Sequence, residues 1–461
     1  MKIIPQLPEQ YPLQNVNAYR KDPLGFVKEC FDTYGDIFSL KFLNRNVIIT
    51  QRPEIAQYIL QTNHRNYIKA TAYRKLKLLL GEGLLTSEGE VWLKNRRLAQ
   101  PAFHKKSIES FLKVMHDATE QMLYRWQYFY AGGRAFQLQN ELSECTLAVV
   151  CEALLGHSLE KGGSIVNEEL PSVLKFMIDR MLNPVALPIW MPLPAHQRFL
   201  RSKKRLEALI RSILFEKRHT DDGKEGIDLL TMLMLAKDEH TGLGMTTEHL
   251  VDEMLTFFLA GHETSAMGLT WVFYHLAKSP SIAQRVREEI NQVVVGERVS
   301  LEQLTALKYT KKVIYEGLRL KPPIWTIARE ALTDDVIGNY DISKGDSVVI
   351  NNYWMHQHPE FWADPMTFNP ERFSDAMTNA IHKHAFLPFG AGPRICIGNH
   401  FAMMEMTVIL VQVFKRFKVQ VVKEQIDIEC SLTIRPKHGL EVFLEPIGMV
   451  KNLTAKSKKP E

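Results

Sequence analysis

Apolar residues recur at three- and four-residue spacing over most of the chain beyond residue 90, the period of one face of an α-helix. The pattern predicts helices over residues 90–103, 107–129, 138–155 and 197–217. The longest unbroken pattern covers 246–277. Thr246 stands at its N-cap and Glu248 in its first turn, where a carboxylate meets the positive end of the helix dipole. At the usual rise per residue this helix would span roughly 45 Å. Its middle is apolar on nearly every side, which predicts a buried central helix. Further helices are expected over 279–293 behind Ser279-Pro280, after the capping-box pair Ser300 and Gln303, from 308 to Leu320 and over 397–417.

Before residue 76 the pattern is mixed. Strands are expected at 37–42 and 47–50 about a polar turn at 44–46, with helices opening at Asp22-Pro23 and covering 53–60. Later strand-like runs lie at 336–340, 347–351, 419–422 and 440–444. Pro184, Pro188, Pro192 and Pro194 exclude a regular helix over 183–196, which reads as a loop crossing apolar surface. Residues 220–226 read as an exposed link and 364–393 as loop-rich. No internal repeat interrupts the pattern. The expected fold class is mainly α with a smaller β region, α+β, in one domain over 1–461. Its β-richer part covers about 1–75 and its helix-rich part about 76–461.

Composition narrows the function class. Hydrophobic residues make up 45% and charged residues 24%, ordinary for a globular protein with a sizeable core. A net charge of +5 without a dense Lys/Arg stripe argues against nucleic acid. Five cysteines with no CxxC pair form neither a disulfide framework nor a zinc site, and fit a reducing, cytoplasmic setting. No apolar run approaches the roughly 20 residues that cross a bilayer, so no transmembrane anchor is expected.

The chemistry gathers in Phe389-Gly390-Ala391-Gly392-Pro393-Arg394-Ile395-Cys396-Ile397-Gly398. Glycines and a proline make a tight loop, and one cysteine stands at its end, just before a helix. A helix N-terminus favours a thiolate, Gly398 permits close backbone approach, and Arg394 offers a fixed cation for a carboxylate. Taken alone, a lone Cys in such a turn would be a buried thiol. The whole string resembles the haem-binding loop of the cytochromes P450, Phe-x-x-Gly-x-Arg-x-Cys-x-Gly, at every fixed position. The resemblance implies haem b as cofactor and Cys396 as its axial thiolate and metal ligand. It also implies Arg394 as a propionate partner, with Phe389, Gly390 and Gly398 in the cofactor loop. In that fold the haem lies between the long central helix and the helix that follows the cysteine.

Three more segments match the same family. Ala260-Gly261-His262-Glu263-Thr264-Ser265 sits in the middle of the central helix, where a Gly costs about 1 kcal/mol. The family implies that Ala260 and Gly261 make room for dioxygen, that the Thr264 hydroxyl hydrogen-bonds it, and that Glu263 helps deliver protons. Glu316 and Arg319, one turn apart, with Arg372 downstream, resemble the Glu-x-x-Arg network, whose implied role is to brace the cysteine loop. Trp92 and Arg96 match a Trp-x-x-x-Arg segment that holds a propionate, and Arg329 stands where the family often has another such arginine.

The implied activity is monooxygenation: one oxygen atom of O2 enters a hydrophobic substrate, a fatty acid, terpenoid or carotenoid-like molecule of the kind taken by the lipid-oxidising branch. Leu84, Leu85, Phe257, Phe258, Ala260, Ile324, Trp325, Ile327 and Leu432 match the substrate-contacting regions of the family. Little sequence follows Cys396, so electrons are expected from a separate ferredoxin or flavodoxin with its reductase. Lys94, Arg96, Arg97, Lys105, Lys106, Lys415, Arg416 and Lys418 would form a basic docking face. The chain is expected to be a monomer. A peroxide-driven peroxygenase, a haem-thiolate sensor and a haem-free helical protein are the alternatives, and the loop at 183–196 is a candidate lid.

Overall fold

The computed structural model describes residues 3–9, 14–42, 45–156, 163–182, 187–219, 228–239, 241–374 and 381–447. The expected link at 220–226 and the residues 44 and 183–186 lie outside them.

Helices carry most of the chain. The helix α1 (Gly89–Ala99) leads into a 3-10 turn at Gln100–Phe103, where Pro101 ends α-helical hydrogen bonding. Ser110 and Phe111 split the expected 107–129 helix into Lys105–Glu109 and Leu112–Ala131. The helix α2 (Leu138–Leu155) ends at Gly156, whose positive φ stops it. Several helices escape the periodicity reading, among them Gln14–Lys21, Gly163–Leu182 with Pro171 inside it and Leu229–Leu235. The expected 183–196 loop ends early, because Pro194 opens the helix Pro194–His219 in the first-turn position that tolerates proline.

The central helix α3 (Thr247–Ala277) is the longest, and the Thr246 side chain accepts from His249 N as expected. It packs against α2, against α4 (Lys308–Leu320), and against α5 (Asn399–Arg416). Val150 on α2, Leu269 and Val272 on α3, Val313 and Ile314 on α4, and Val408, Ile409 and Val411 on α5 are wholly buried or nearly so. Each such side chain contributes about 1.5–3 kcal/mol.

Five strands form the principal sheet: β1 (Ile37–Phe42), β2 (Arg45–Thr50), β3 (Tyr67–Lys69), β4 (Thr326–Ala331) and β5 (Ser347–Asn351). Their order is β1-β2-β5-β4-β3, with β2 and β5 parallel and the other pairs antiparallel. The sequence pattern missed β4, a short run that ends in Arg-Glu-Ala. The expected 336–340 strand is a hairpin of Asp335–Ile337 and Tyr340–Ile342, reversed at Gly338. A sheet of Phe136–Gln137, Phe417–Val421 and Glu441–Pro446 and a hairpin of Ile428–Cys430 with Ile434–Pro436 complete the β part. The observed class is helix-rich with smaller sheets, as expected.

Candidate active site

Cys396 stands two residues before Gly398, the N-cap of α5. Its amide donates to Phe389 O at 2.9 Å, closing the glycine loop on itself. Gly390 and Gly392 both have positive φ. A β-carbon at Gly392 would lie 1.8 Å from Leu60 O, so no other residue fits there. The Cys396 side chain is accessible. Protein nonetheless surrounds it closely enough that burial raises the thiol, opposed by the Gly398 amide and the Arg96 cation. An accessible thiol with protein close around it leaves Sγ free to bind a ligand.

The central helix shows the opposite wall. Residues 253–259 and 265–273 are buried, yet Ala260 is exposed and Gly261, His262, Glu263 and Thr264 are half-exposed. A buried helix with one accessible turn at mid-length borders a cavity there. Thr264 Oγ1 donates to Ala260 O at 2.8 Å, and His262 Nδ1 lies 2.9 Å from Phe258 O. Glu263 accepts from Thr433 Oγ1 at 2.7 Å. Thr146 on α2 donates to His262 O at 2.9 Å. Gly261 does not open toward the cleft. Its missing β-carbon points at α2, where it would meet Val150 Cγ2 at 2.8 Å. Space for a ligand at this turn therefore comes from Ala260, and Gly261 lets two helices touch.

A cation cluster borders the loop at 84–88. Arg394 Nη1 donates to Ser87 O at 3.1 Å, its other nitrogen pairs with Glu88, and its guanidinium sits 4.3 Å from the Trp92 ring. Arg329, on β4, is buried and bonds its own neighbouring Ala328 O at 3.0 Å. Lys69, beside it on β3, donates to Leu85 O. Burial depresses all three: Arg394 falls to about 10, and Lys69 well below its ordinary value, with Arg329 and Arg394 pushing it further. Among the described residues Glu88 is the one carboxylate ion-paired within this trio. Arg96 lies apart, on the cysteine side, donating to Ile395 O at 2.9 Å. Sequence reasoning missed Lys69, Glu88, Ser87 and Thr433, none of which falls at a fixed position of a motif.

Glu316, Arg319 and Arg372 meet in one buried network. Glu316 and Arg319 are fully buried and paired two-pronged at 2.7 and 2.8 Å. Arg319 also donates to His356 O at 2.8 Å and covers the Trp362 ring. Glu316 further accepts from Asn369 N at 2.9 Å and pairs with Arg372 at 3.3 Å. His356 accepts from Leu387 N at 2.8 Å, which ties this network to the segment leading into the cysteine loop.

The expected substrate residues differ in burial. Leu85, Ile324 and Leu432 are half-buried, and Leu84 and Phe257 nearly buried, with Phe257 edge-on to Phe103 at 5.2 Å. Three others also lie in core clusters. Trp325 belongs to a core cluster with Leu24, Trp271 and Ile434, and its indole N–H donates to Ser431 O. Ile327 packs in the core beneath the sheet. Phe258 is 1% exposed and faces the helix bundle. On β4 alternate side chains point to opposite faces, and the half-exposed ones are Thr326 and Ala328. A separate groove of about 750 Å³, lined among others by Ile3, Asp36 and Arg52, contains none of these residues.

An accessible cysteine at a helix start, a cleft against a small-residue turn, and two more buried cations than carboxylates fit one group: a haem, with iron for the sulfur and two propionates for the cations. The arrangement is that of a haem-thiolate protein. Residues 5–441 match the family model described as cytochrome P450. The chain belongs to the cytochrome P450 family, and it is a haem-dependent monooxygenase. Cyclooctatin synthase of Streptomyces melanosporofaciens is 29% identical over 432 residues, covering 93% of this chain and 91% of its own. Cytokinin hydroxylase of Arabidopsis thaliana is 33% identical, covering 81% and 73%. In structure the chain is similar to the haem domain of cytochrome P450DA, with TM-score 0.87, 24% identity, and coverage of 96% and 97%. Among the described residues no helix is long and apolar enough to cross a membrane.

Proposed function

We propose that this enzyme inserts one oxygen atom of O2 into an apolar chain or ring system, a fatty acid, terpenoid or carotenoid-like molecule, taking electrons from a separate ferredoxin or flavodoxin. The observation that carries the reading is the single accessible turn Ala260–Thr264 in an otherwise buried helix, together with the accessible Cys396. Cys396 is the iron ligand in this reading, and Lys69, Arg329 and Arg394 hold the propionates. The bound haem supplies the oxygen-activating redox chemistry.

The chain's own residues do the rest. Gly398 N–H and Arg96 favour negative charge on Sγ and offset part of the burial that raises the thiol. Thr264 holds its hydroxyl at the cleft by donating to Ala260 O, and a rotation about its side-chain bond would free that proton for a water in the cleft. Glu263 is held by Thr433 and lies beside Thr264, so its carboxyl can resupply that proton through water. Leu84, Leu85, Phe257, Ile324 and Leu432 exclude water and favour an apolar guest. These five side chains are all apolar, which favours a substrate without an obligatory charge.

The test is turnover on a panel of lipids and isoprenoids under ¹⁸O₂, with a ferredoxin system and separately with peroxide. One labelled oxygen atom per product molecule, dependent on the electron donor, supports the reading. Turnover with peroxide alone would make the protein a peroxygenase.

A further inference from the structure

We propose that Glu88 is a third carboxylate of the haem-edge cluster and that its charge sets the reduction potential of the iron. This rests on the reading that Lys69, Arg329 and Arg394 face the propionates.

Glu88 occupies the N-cap position of α1 with extended backbone, φ −132° and ψ 165°, yet its side chain makes no cap hydrogen bond. The carboxylate turns the other way, accepting from Lys69 N at 2.9 Å and pairing with Arg394. It thereby lines a small cavity of about 160 Å³ with Lys69, Tyr73, Thr86, Arg74 and Lys77, the last two being paired with Glu330 and Glu82.

The charge count gives this placement a consequence. With two propionates beside them to offset the burial that lowers Lys69, Lys69, Arg329 and Arg394 would carry three positive charges. Two propionates and Glu88 carry three negative ones, so the assembled edge is neutral. Removing the Glu88 charge leaves one uncompensated cation beside the porphyrin, in surroundings poor in water, where charges are felt strongly. An extra positive charge favours the state with one more electron, the ferrous one. Glu88 therefore holds the potential down. Removing Lys69 has the opposite sign.

Spectroelectrochemical titration of the loaded wild type, Glu88→Gln, Glu88→Asp and Lys69→Gln tests this. Glu88→Gln keeps an oxygen for Arg394 and Lys69 N but loses the charge. It is expected to shift the reduction equilibrium at least threefold toward ferrous iron, where tenfold corresponds to 59 mV. Glu88→Asp is expected to stay close to wild type, and Lys69→Gln to shift the other way. A brace without electrostatic effect would lower thermal stability in Glu88→Gln and leave the potential unmoved. That result, or a shift toward ferric iron, overturns the proposal. Should Glu88→Gln fail to retain haem, Lys69→Gln decides: a potential at the wild-type value overturns the proposal, and a lower one supports it. A wild type that binds no haem through a thiolate fails the underlying reading instead, and its spectrum shows this before any potential is measured.

Discussion

Gly261 on the central helix and Val150 on α2 stand so close that a β-carbon on Gly261 would lie 2.8 Å from Val150 Cγ2. The glycine at the heart of the catalytic turn is thus required by helix packing. Gly261→Ala is expected to destabilise the fold by about 1–3 kcal/mol, the range for overpacking. Val150→Ala in the same chain should recover most of that loss. Urea unfolding of the two single variants and the double variant measures the coupling. A Gly261→Ala protein of unchanged stability would place the glycine's role in the cleft instead.

Glu316 and Arg319 form an ion pair with no exposure at all. Removing one partner leaves a buried charge uncompensated, at a cost of about 3–5 kcal/mol. Arg319→Met and Glu316→Gln should each lower the melting temperature strongly and reduce haem retention, because the network reaches the cysteine loop through His356 and Leu387. Calorimetry and haem content check this together. Full haem content at unchanged stability would separate the network from the loop.

Glu405 on α5 is wholly buried, and burial pushes its carboxyl up to about 8. In the unfolded chain it titrates near its ordinary value of 4.5. Between these values the folded state holds the extra proton. This group's contribution to stability is therefore full below about pH 4.5 and is lost progressively as pH rises to about 8, at no more than roughly 1.4 kcal/mol per unit. Glu405→Gln removes that slope. Its stability relative to wild type should rise from pH 5 to pH 8, measured by denaturant midpoint; parallel curves would show that Glu405 is ionised in the fold.

Thr264 presents its hydroxyl at the accessible turn. Thr264→Ala should cut product formed per electron consumed by tenfold or more, within the range general-acid groups contribute, while Thr264→Ser keeps most of it. Product and donor consumption are measured together. Equal coupling in all three proteins would remove Thr264 from proton handling.

Much of this was legible in the sequence because it depends on spacing. The central helix, its Thr246 cap, the Ser300–Gln303 capping box and the Glu316–Arg319 pair all follow from short-range pattern. The glycine loop before Cys396 was legible for the same reason. Strand β4 was not, since its edges read like loop and its pairing partners lie far away in sequence. The core packing of Trp325 and Ile327 was not legible, because apolar side chains near a cleft and in a core look alike until the strand's facing is known. Lys69 and Glu88 were invisible because 306 positions separate Glu88 from Arg394, and no local pattern records that meeting.

The most direct test of the account is the carbon monoxide difference spectrum of the reduced protein, recorded for wild type and Cys396→Ser after expression with ample haem. The account predicts the red-shifted Soret band of thiolate-ligated haem in wild type and its loss in the variant. A wild type without haem, or a band that survives the loss of Cys396, would contradict it.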